Sequence, residues 1–232
     1  MSILARAFLD NCAKVWQPSQ PCLLCGTSGP YIWCAACDAA LPYLRTPYCP
    51  QCALPTLNGT VCGHCLTDAP HFQRTIAVFS YAFPLNKLIQ ALKFGERLEL
   101  VNNFADKLAQ RVAIRPDCII AMPLHPTRLR ERGFNQSLEL ARRIAQKIDI
   151  PILPNACMRV RDTPPQSMLS RQARNKNMQH AFTCSQDLTG QHVAIVDDVM
   201  TSGASLNEVA RTLKIAGARE VSAWVVARTL PH

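Results

Sequence analysis

The segment Val193-Ala-Ile-Val-Asp-Asp-Val-Met-Thr-Ser-Gly-Ala-Ser205 restricts the fold more than any other part of this chain. Val193 to Val196 is a short, largely β-branched run of the kind that forms a buried parallel strand. Asp197 and Asp198 follow at the strand's carboxyl end, where open α/β sheets bind their ligands. Thr201 to Ser205 supply hydroxyls and a glycine, and Leu206, Val209, Ala210 and Leu213 continue at helical spacing. Strand, acidic pair, polar turn and helix in that order call for a parallel α/β sheet. Backbone N–H groups and hydroxyls at a helix N-terminus suit a phosphate. The carboxylates repel that phosphate but accept hydrogen bonds from a sugar diol, or hold a cation. Diol plus phosphate describes a ribose 5-phosphate. The plainer alternative is an acidic strand end followed by an ordinary capped helix.

The pattern of four apolar residues, an acidic pair, two apolar residues and Thr/Ser-Thr/Ser-Gly-x-Thr/Ser resembles the phosphoribosyl-pyrophosphate (PRPP) motif of type I phosphoribosyltransferases. The resemblance implies that Asp197 and Asp198 hold the ribose hydroxyls. It also implies that Thr201, Ser202, Gly203, Ala204 and Ser205 wrap the 5-phosphate.

Cysteine spacing sets a second constraint. Eight of twelve cysteines form four CxxC pairs, Cys22/Cys25, Cys34/Cys37, Cys49/Cys52 and Cys62/Cys65. Two thiolates three residues apart hold one ion from a tight turn, and two such turns complete a tetrahedral site. The pairs imply two structural zinc ions. The similar gaps between pairs favour sequential pairing, with an interleaved cross-brace as the alternative. His64 can replace a ligand but reads more simply as a solvated turn residue. Cys12 lies in an apolar opening helix near residues 3–15, and Cys118, Cys157 and Cys184 read as small core residues. Residues 17–70 are rich in proline and cysteine and poor in apolar periodicity, so metal must supply much of their folding free energy. The expected domains are therefore 1–70, a helix plus a double zinc-ribbon module, and 72–232, the parallel α/β domain.

No stretch reaches the roughly 20 apolar residues needed to cross a bilayer, and Arg6 and Asp10 interrupt the one candidate signal core. A cytoplasmic protein without membrane insertion is expected, and a reducing cytosol favours metal over disulfides. The net charge of +9 is unevenly placed. Residues 1–70 carry Arg6, Lys14 and Arg45 against Asp10, Asp38 and Asp68, so the cysteine-rich module has little to offer a phosphate backbone. It reads as structural or protein-docking. Residues 111–176 hold thirteen Lys and Arg against five Asp and Glu.

The centre of that surplus is Pro123-Leu-His-Pro-Thr-Arg-Leu-Arg-Glu-Arg-Gly-Phe-Asn-Gln-Ser137, read as a loop between a strand at Cys118–Met122 and a helix over Phe134–Ile148. Arginine is the side chain best suited to grip phosphate oxygens in pairs. The alternative for each arginine is a solvated basic surface. By resemblance to the transferases, His125, Arg128, Arg132 and Gly133 fall in the pyrophosphate loop. A later stretch, Arg159 to Gln166, falls where those enzymes carry a mobile loop, and its two prolines exclude a regular helix. Arg171, Arg174, Asn175 and Lys176 follow on an expected helix. Tyr81, Phe83 and Phe94 can stack on a base, although single aromatics of this kind usually belong to the core.

In order, the four CxxC pairs, Leu92-Lys93-Phe94-Gly95, the His-Pro-x-Arg-x-Arg-x-Arg-Gly-Phe-Asn-Gln-Ser run, Arg-x-Arg-x-Thr-x-x-Gln and the PRPP motif resemble the ComF family over almost the whole chain. That family comprises ComFC/GntX-type competence proteins, in which a zinc module is fused to a phosphoribosyltransferase-like domain. The resemblance implies a role in DNA uptake and natural transformation, with PRPP and Mg2+ as ligands. The basic middle itself is expected to engage single-stranded DNA through Arg128, Arg130, Arg132 and Arg161, since a strand and a pyrophosphate both call for arginines, and a helicase or other uptake protein is the expected protein partner. A catalytically active phosphoribosyltransferase with an unidentified base or nucleotide acceptor is the alternative, since no base-recognising hood is legible. A third reading makes the zinc ribbons an assembly module. Further strands are expected near residues 74–81 and 221–226.

Overall fold

The computed structural model describes residues 19–45, 47–95, 97–161 and 178–231. The expected opening helix with Cys12, the Asp162–Gln166 segment, and Arg171, Arg174, Asn175 and Lys176 lie outside these residues. The chain divides into two compact units between Leu41 and Pro42.

The first unit contains a small hairpin, β1 (Gln20–Pro21) antiparallel to β2 (Ser28–Gly29), and the short helix α1 (Ala35–Ala39). The second begins with a cysteine-rich segment ending in α2 (Gly63–Thr67). It continues through β3 (Arg74–Ser80), α3 (Leu85–Phe94), α4 (Glu99–Ala109), β4 (Cys118–Ala121), α5 (Pro126–Arg132) and α6 (Gln136–Ile148). The hairpin β5 (Cys157–Arg159) and β6 (Phe182–Cys184) precedes β7 (His192–Met200), α7 (Ala204–Ile215) and β8 (Glu220–Arg228).

Four strands form one parallel sheet in the spatial order β3-β8-β7-β4. The two central strands are almost continuously buried, as expected of strands covered on both faces. Val193, Ile195, Val221, Ala223 and Val225 contribute to a core that also takes in Leu206, Val209 and Leu213 of α7. Helices α4 and α6 pack on each other, and α6 packs on β4 and β7. Neither sheet edge is left bare. Leu153 N–H donates to the Ile119 carbonyl at 2.8 Å beyond β4, and Leu44 N–H donates to Val78 at 2.9 Å beyond β3.

Three expectations are corrected at the ligand-bearing end of the sheet. The strand expected over 193–196 runs from His192 to Met200, because β8 remains paired with it down to Met200 opposite Arg228. The acidic pair therefore lies within a strand. Its β4 neighbour ends opposite Val196, so beyond that point β7 loses one partner and a crevice opens. The arginine-rich stretch is also not a loop throughout. Pro126 occupies the first turn of α5, the His125 side chain accepts from Thr127 N–H at 3.4 Å, and Gly133 closes the helix in the left-handed region at φ 77°. The following helix begins at Gln136 rather than Phe134, because Asn135 caps it.

Candidate functional site

Asn135 shows how sequence builds the site. Its side-chain oxygen accepts from Ser137 N–H at 3.0 Å and Leu138 N–H at 3.3 Å, while its amide donates to the Met122 carbonyl at 3.1 Å. One residue thus caps α6 and ties it to the end of β4. The cap aims Ser137 at β7, where its hydroxyl donates to Asp197 Oδ1 at 2.9 Å. Asp198 N–H donates to the same oxygen at 2.9 Å. Burial, and then the charge of Asp198, push the Asp197 carboxyl above the usual carboxylate range, while Lys93 and the Ser137 hydroxyl oppose the shift.

Asp198 is buried, with Lys93 Nζ at 3.0 Å from its Oδ2. Lys93 lies on the last turn of α3, beside Phe94. Phe94 is 76% exposed, against the core role usual for a lone aromatic, and the Arg132 guanidinium lies 5.2 Å from its ring centroid. Arg132 also donates to the Gln136 side chain at 2.7 Å. Lys93, Phe94, Arg132, Gln136, Ser137, Asp197 and Asp198 thus converge on the end of β7 from three segments. Lys93 was not singled out from sequence. Its only signal was membership of the Leu-Lys-Phe-Gly run, because an ion pair between distant segments leaves no local periodicity.

The polar turn follows directly. Gly203 adopts φ 83° and caps α7 without a side-chain acceptor. A β-carbon there would meet the Met200 methyl at 2.8 Å. Ser202 Oγ accepts from Ala204 N–H at 3.3 Å. A glycine at this helix start lets an external acceptor approach the first-turn amides.

The remaining arginines are placed differently. Arg130 is exposed and Arg128 half-buried on α5, the helix that carries Arg132. Arg161 follows β5 and donates to the Gln179 carbonyl at 2.6 Å, so its described contact is with the hairpin region.

The cysteines form two groups, Cys22/Cys25/Cys34/Cys37 and Cys49/Cys52/Cys62/Cys65, with all four sulfurs of each within 4.8 Å of one another. The grouping is sequential, and His64 belongs to neither. Tetrahedral zinc with bonds of about 2.3 Å would hold sulfurs roughly 3.8 Å apart. Cys25 and Cys34 stand 3.7 Å apart, and Cys52 and Cys62 stand 3.6 Å apart. The two groups repeat one backbone device. Cys34 N–H donates to Cys22 Sγ, and Cys62 N–H donates to Cys49 Sγ, both at 3.4 Å. Gly26 N–H bonds back to the Cys22 carbonyl, as Ala53 N–H does to that of Cys49, each at 2.9 Å. Burial raises Cys22 and Cys49, but backbone N–H bonds outweigh it and hold them at about 6 and about 7. Hydrogen bonding with the Cys25 thiol, and then burial, push Cys37 up to about 12. Four thiolates at this spacing therefore need a cation among them, and the donor set fits zinc. Cys118 and Cys157 are core residues, whereas Cys184 is only half-buried.

Comparison with known proteins agrees with both parts of the chain. The double zinc ribbon domain matches residues 14–66, and the phosphoribosyl transferase domain matches residues 135–230. DNA utilization protein YhgH of Escherichia coli strain K12 is 37% identical over 206 residues, covering 85% of this chain and 90% of that protein. Competence protein F of Haemophilus influenzae is 33% identical over 207 residues, covering 84% of this chain and 90% of that one. Competence protein ComFC of Bacillus subtilis is 25% identical, covering 84% of each. Among the described residues, no helix is long and apolar enough to cross a membrane.

Proposed function

The chain belongs to the family of the DNA utilization and competence F proteins, and from that membership we propose that it acts in DNA uptake as a PRPP-binding, phosphoribosyltransferase-like protein. The observation that carries the ligand is the acidic pair on β7 beside the glycine-capped start of α7. Asp197 and Asp198 accept from the ribose diol, with Ser137 and Lys93 fixing the two carboxylates. The amides and hydroxyls of Thr201–Ser205 take the 5-phosphate. His125, Arg128, Arg132 and Gly133 face the pyrophosphate, whose charge Mg2+ shares. Positioning and electrostatics are the protein's contribution at such a site.

The same arginines serve a second polyanion. Arg128, Arg130 and Arg132 lie within one short helix, and together with Arg161 they offer single-stranded DNA a basic surface. Fluorescence anisotropy with a single-stranded oligonucleotide across a salt series tests this contact. Replacing the three α5 arginines by alanine should reduce the slope of log affinity against log salt by about 2, taking roughly 0.7 per phosphate contact. An unchanged slope would place the DNA elsewhere. The two cysteine groups hold structural zinc in this reading, and a helicase or other uptake protein is the expected partner of the ribbons.

A further inference from the structure

Arg228 is the last residue of β8 and is 3% exposed. A buried guanidinium needs many acceptors, and here they are main-chain carbonyls from two functional segments. Its Nε donates to the Cys52 carbonyl at 2.7 Å, inside the second cysteine group. Its Nη1 donates to the Met200 carbonyl at 3.0 Å, to Thr229 at 2.8 Å and to the Thr201 carbonyl. Met200 and Thr201 lead into the phosphate turn. In a trans peptide the carbonyl and the following N–H point in opposite directions. Drawing the Thr201 carbonyl toward Arg228 therefore turns the Ser202 N–H away from it, toward the outer side of the turn.

Other contacts hold the second cysteine group on the sheet and keep the segment that follows it against α7. Thr75 on β3 donates through its N–H to the Pro50 carbonyl at 2.8 Å, and through its hydroxyl to that of Gln51. Past α2, His71 N–H donates to the Asn207 side chain at 2.7 Å, on the first turns of α7. A small cleft of about 50 Å³ separates Cys52 and Cys65 from Ser202 and Gly203, with Arg228 in its wall. Zinc held by four thiolates carries two negative charges, and the guanidinium is a buried cation beside them.

We propose that Arg228 is a positioning residue that joins the second cysteine site to the phosphate turn, so that metal at Cys49, Cys52, Cys62 and Cys65 helps to set the orientation of the phosphate-binding amides. The ligand part of this inference rests on the function proposed above, whereas the coupling of metal to turn does not. Loss of that zinc, or oxidation of its thiols, would then loosen a phosphate-monoester site without touching any residue that contacts the ligand.

The test uses the full-length, zinc-loaded chain. Hydrogen exchange of the amides at 201–205 is compared among wild type, Arg228→Lys, Cys52→Ser and Cys25→Ser, with zinc content measured alongside. Lysine keeps the charge but lacks the guanidinium fork that bridges the two segments, and it spares the cysteines. Exchange should quicken at least tenfold in Arg228→Lys and Cys52→Ser, and stay at the wild-type rate in Cys25→Ser. Unchanged exchange in Arg228→Lys, or equal quickening in Cys25→Ser, would overturn the coupling. A linkage measurement follows, with a chromogenic chelator competing to equilibrium for zinc on the wild type in the presence and absence of PRPP and Mg2+. Bound PRPP should raise the affinity for one of the two ions at least threefold, by the reciprocity of coupled sites. Calorimetric binding without that tightening would overturn the coupling and leave the PRPP reading intact. Absent binding would count against the PRPP reading alone, and the exchange data would still decide the coupling.

Discussion

Asp198 is 3% exposed, and the Lys93 ammonium lies 3.0 Å from its carboxylate. Breaking a fully buried pair by deleting one partner costs roughly 3–5 kcal/mol, and the partly exposed lysine lowers that figure. Lys93→Met should therefore destabilise the chain by about 2 kcal/mol in urea denaturation. Adding Asp198→Asn to the same chain should recover most of the loss, and a wild-type midpoint for Lys93→Met alone would refute the pairing. Gly203→Ala tests the turn beside it. An L-residue at φ 83° is strained by roughly 1–2 kcal/mol, and its methyl would push on Met200. That variant should lose phosphate-ligand affinity by more than it loses stability. At this scale the sequence revealed the acidic pair, the hydroxyls and the glycine, because they stand together in one segment. It hid Lys93 and Arg228, whose importance arises only when distant segments pack.

The elements were legible where local pattern and tertiary demand agree. The four sheet strands could be read from β-branched runs, and α6 from Leu138, Ala141, Ile144 and Ala145. The missed helix α5 carried its own signals, a His-Pro start and Gly133 at its end, beneath a charge density that suggested a loop. The underestimated length of β7 has another cause. Two aspartates end an apolar run, yet pairing with β8 carries the strand on to Met200. At the opposite end of that pair, His192 is buried and its Nε2 lies 3.1 Å from the Ser222 hydroxyl. Burial holds His192 below its ordinary value of 6.5, against the pull of Glu220. The unfolded chain then binds more protons just below pH 6.5, so stability is full above that pH and falls as the pH drops toward the depressed folded value. Thermal unfolding between pH 7.5 and 5.5 should show this loss in wild type and less of it in His192→Gln. Equal slopes would rule out His192 as its source.

Across the whole molecule, the cysteine ribbons and the α/β sheet are not simply consecutive. The second cysteine group belongs to the compact unit that holds the sheet, and the first belongs to the unit ending at Leu41. Sequence spacing disclosed both groups and favoured their sequential pairing. It had no means of showing that Cys52 and the phosphate turn share one arginine. Metal analysis should return two zinc ions per chain, falling to one in Cys65→Ser with a lowered unfolding temperature. A full complement in that variant would contradict the ligand set.

The claim on which the rest depends is a ribose-phosphate site at Asp197, Asp198 and the turn after them. Isothermal titration of PRPP with Mg2+ into the zinc-loaded chain, beside Asp197→Asn/Asp198→Asn, tests it most directly. The account predicts saturable binding to the wild type and a loss of at least tenfold in affinity in the double variant, with both proteins equally folded. No heat from well-folded wild type, or equal affinity in the two proteins, would contradict it.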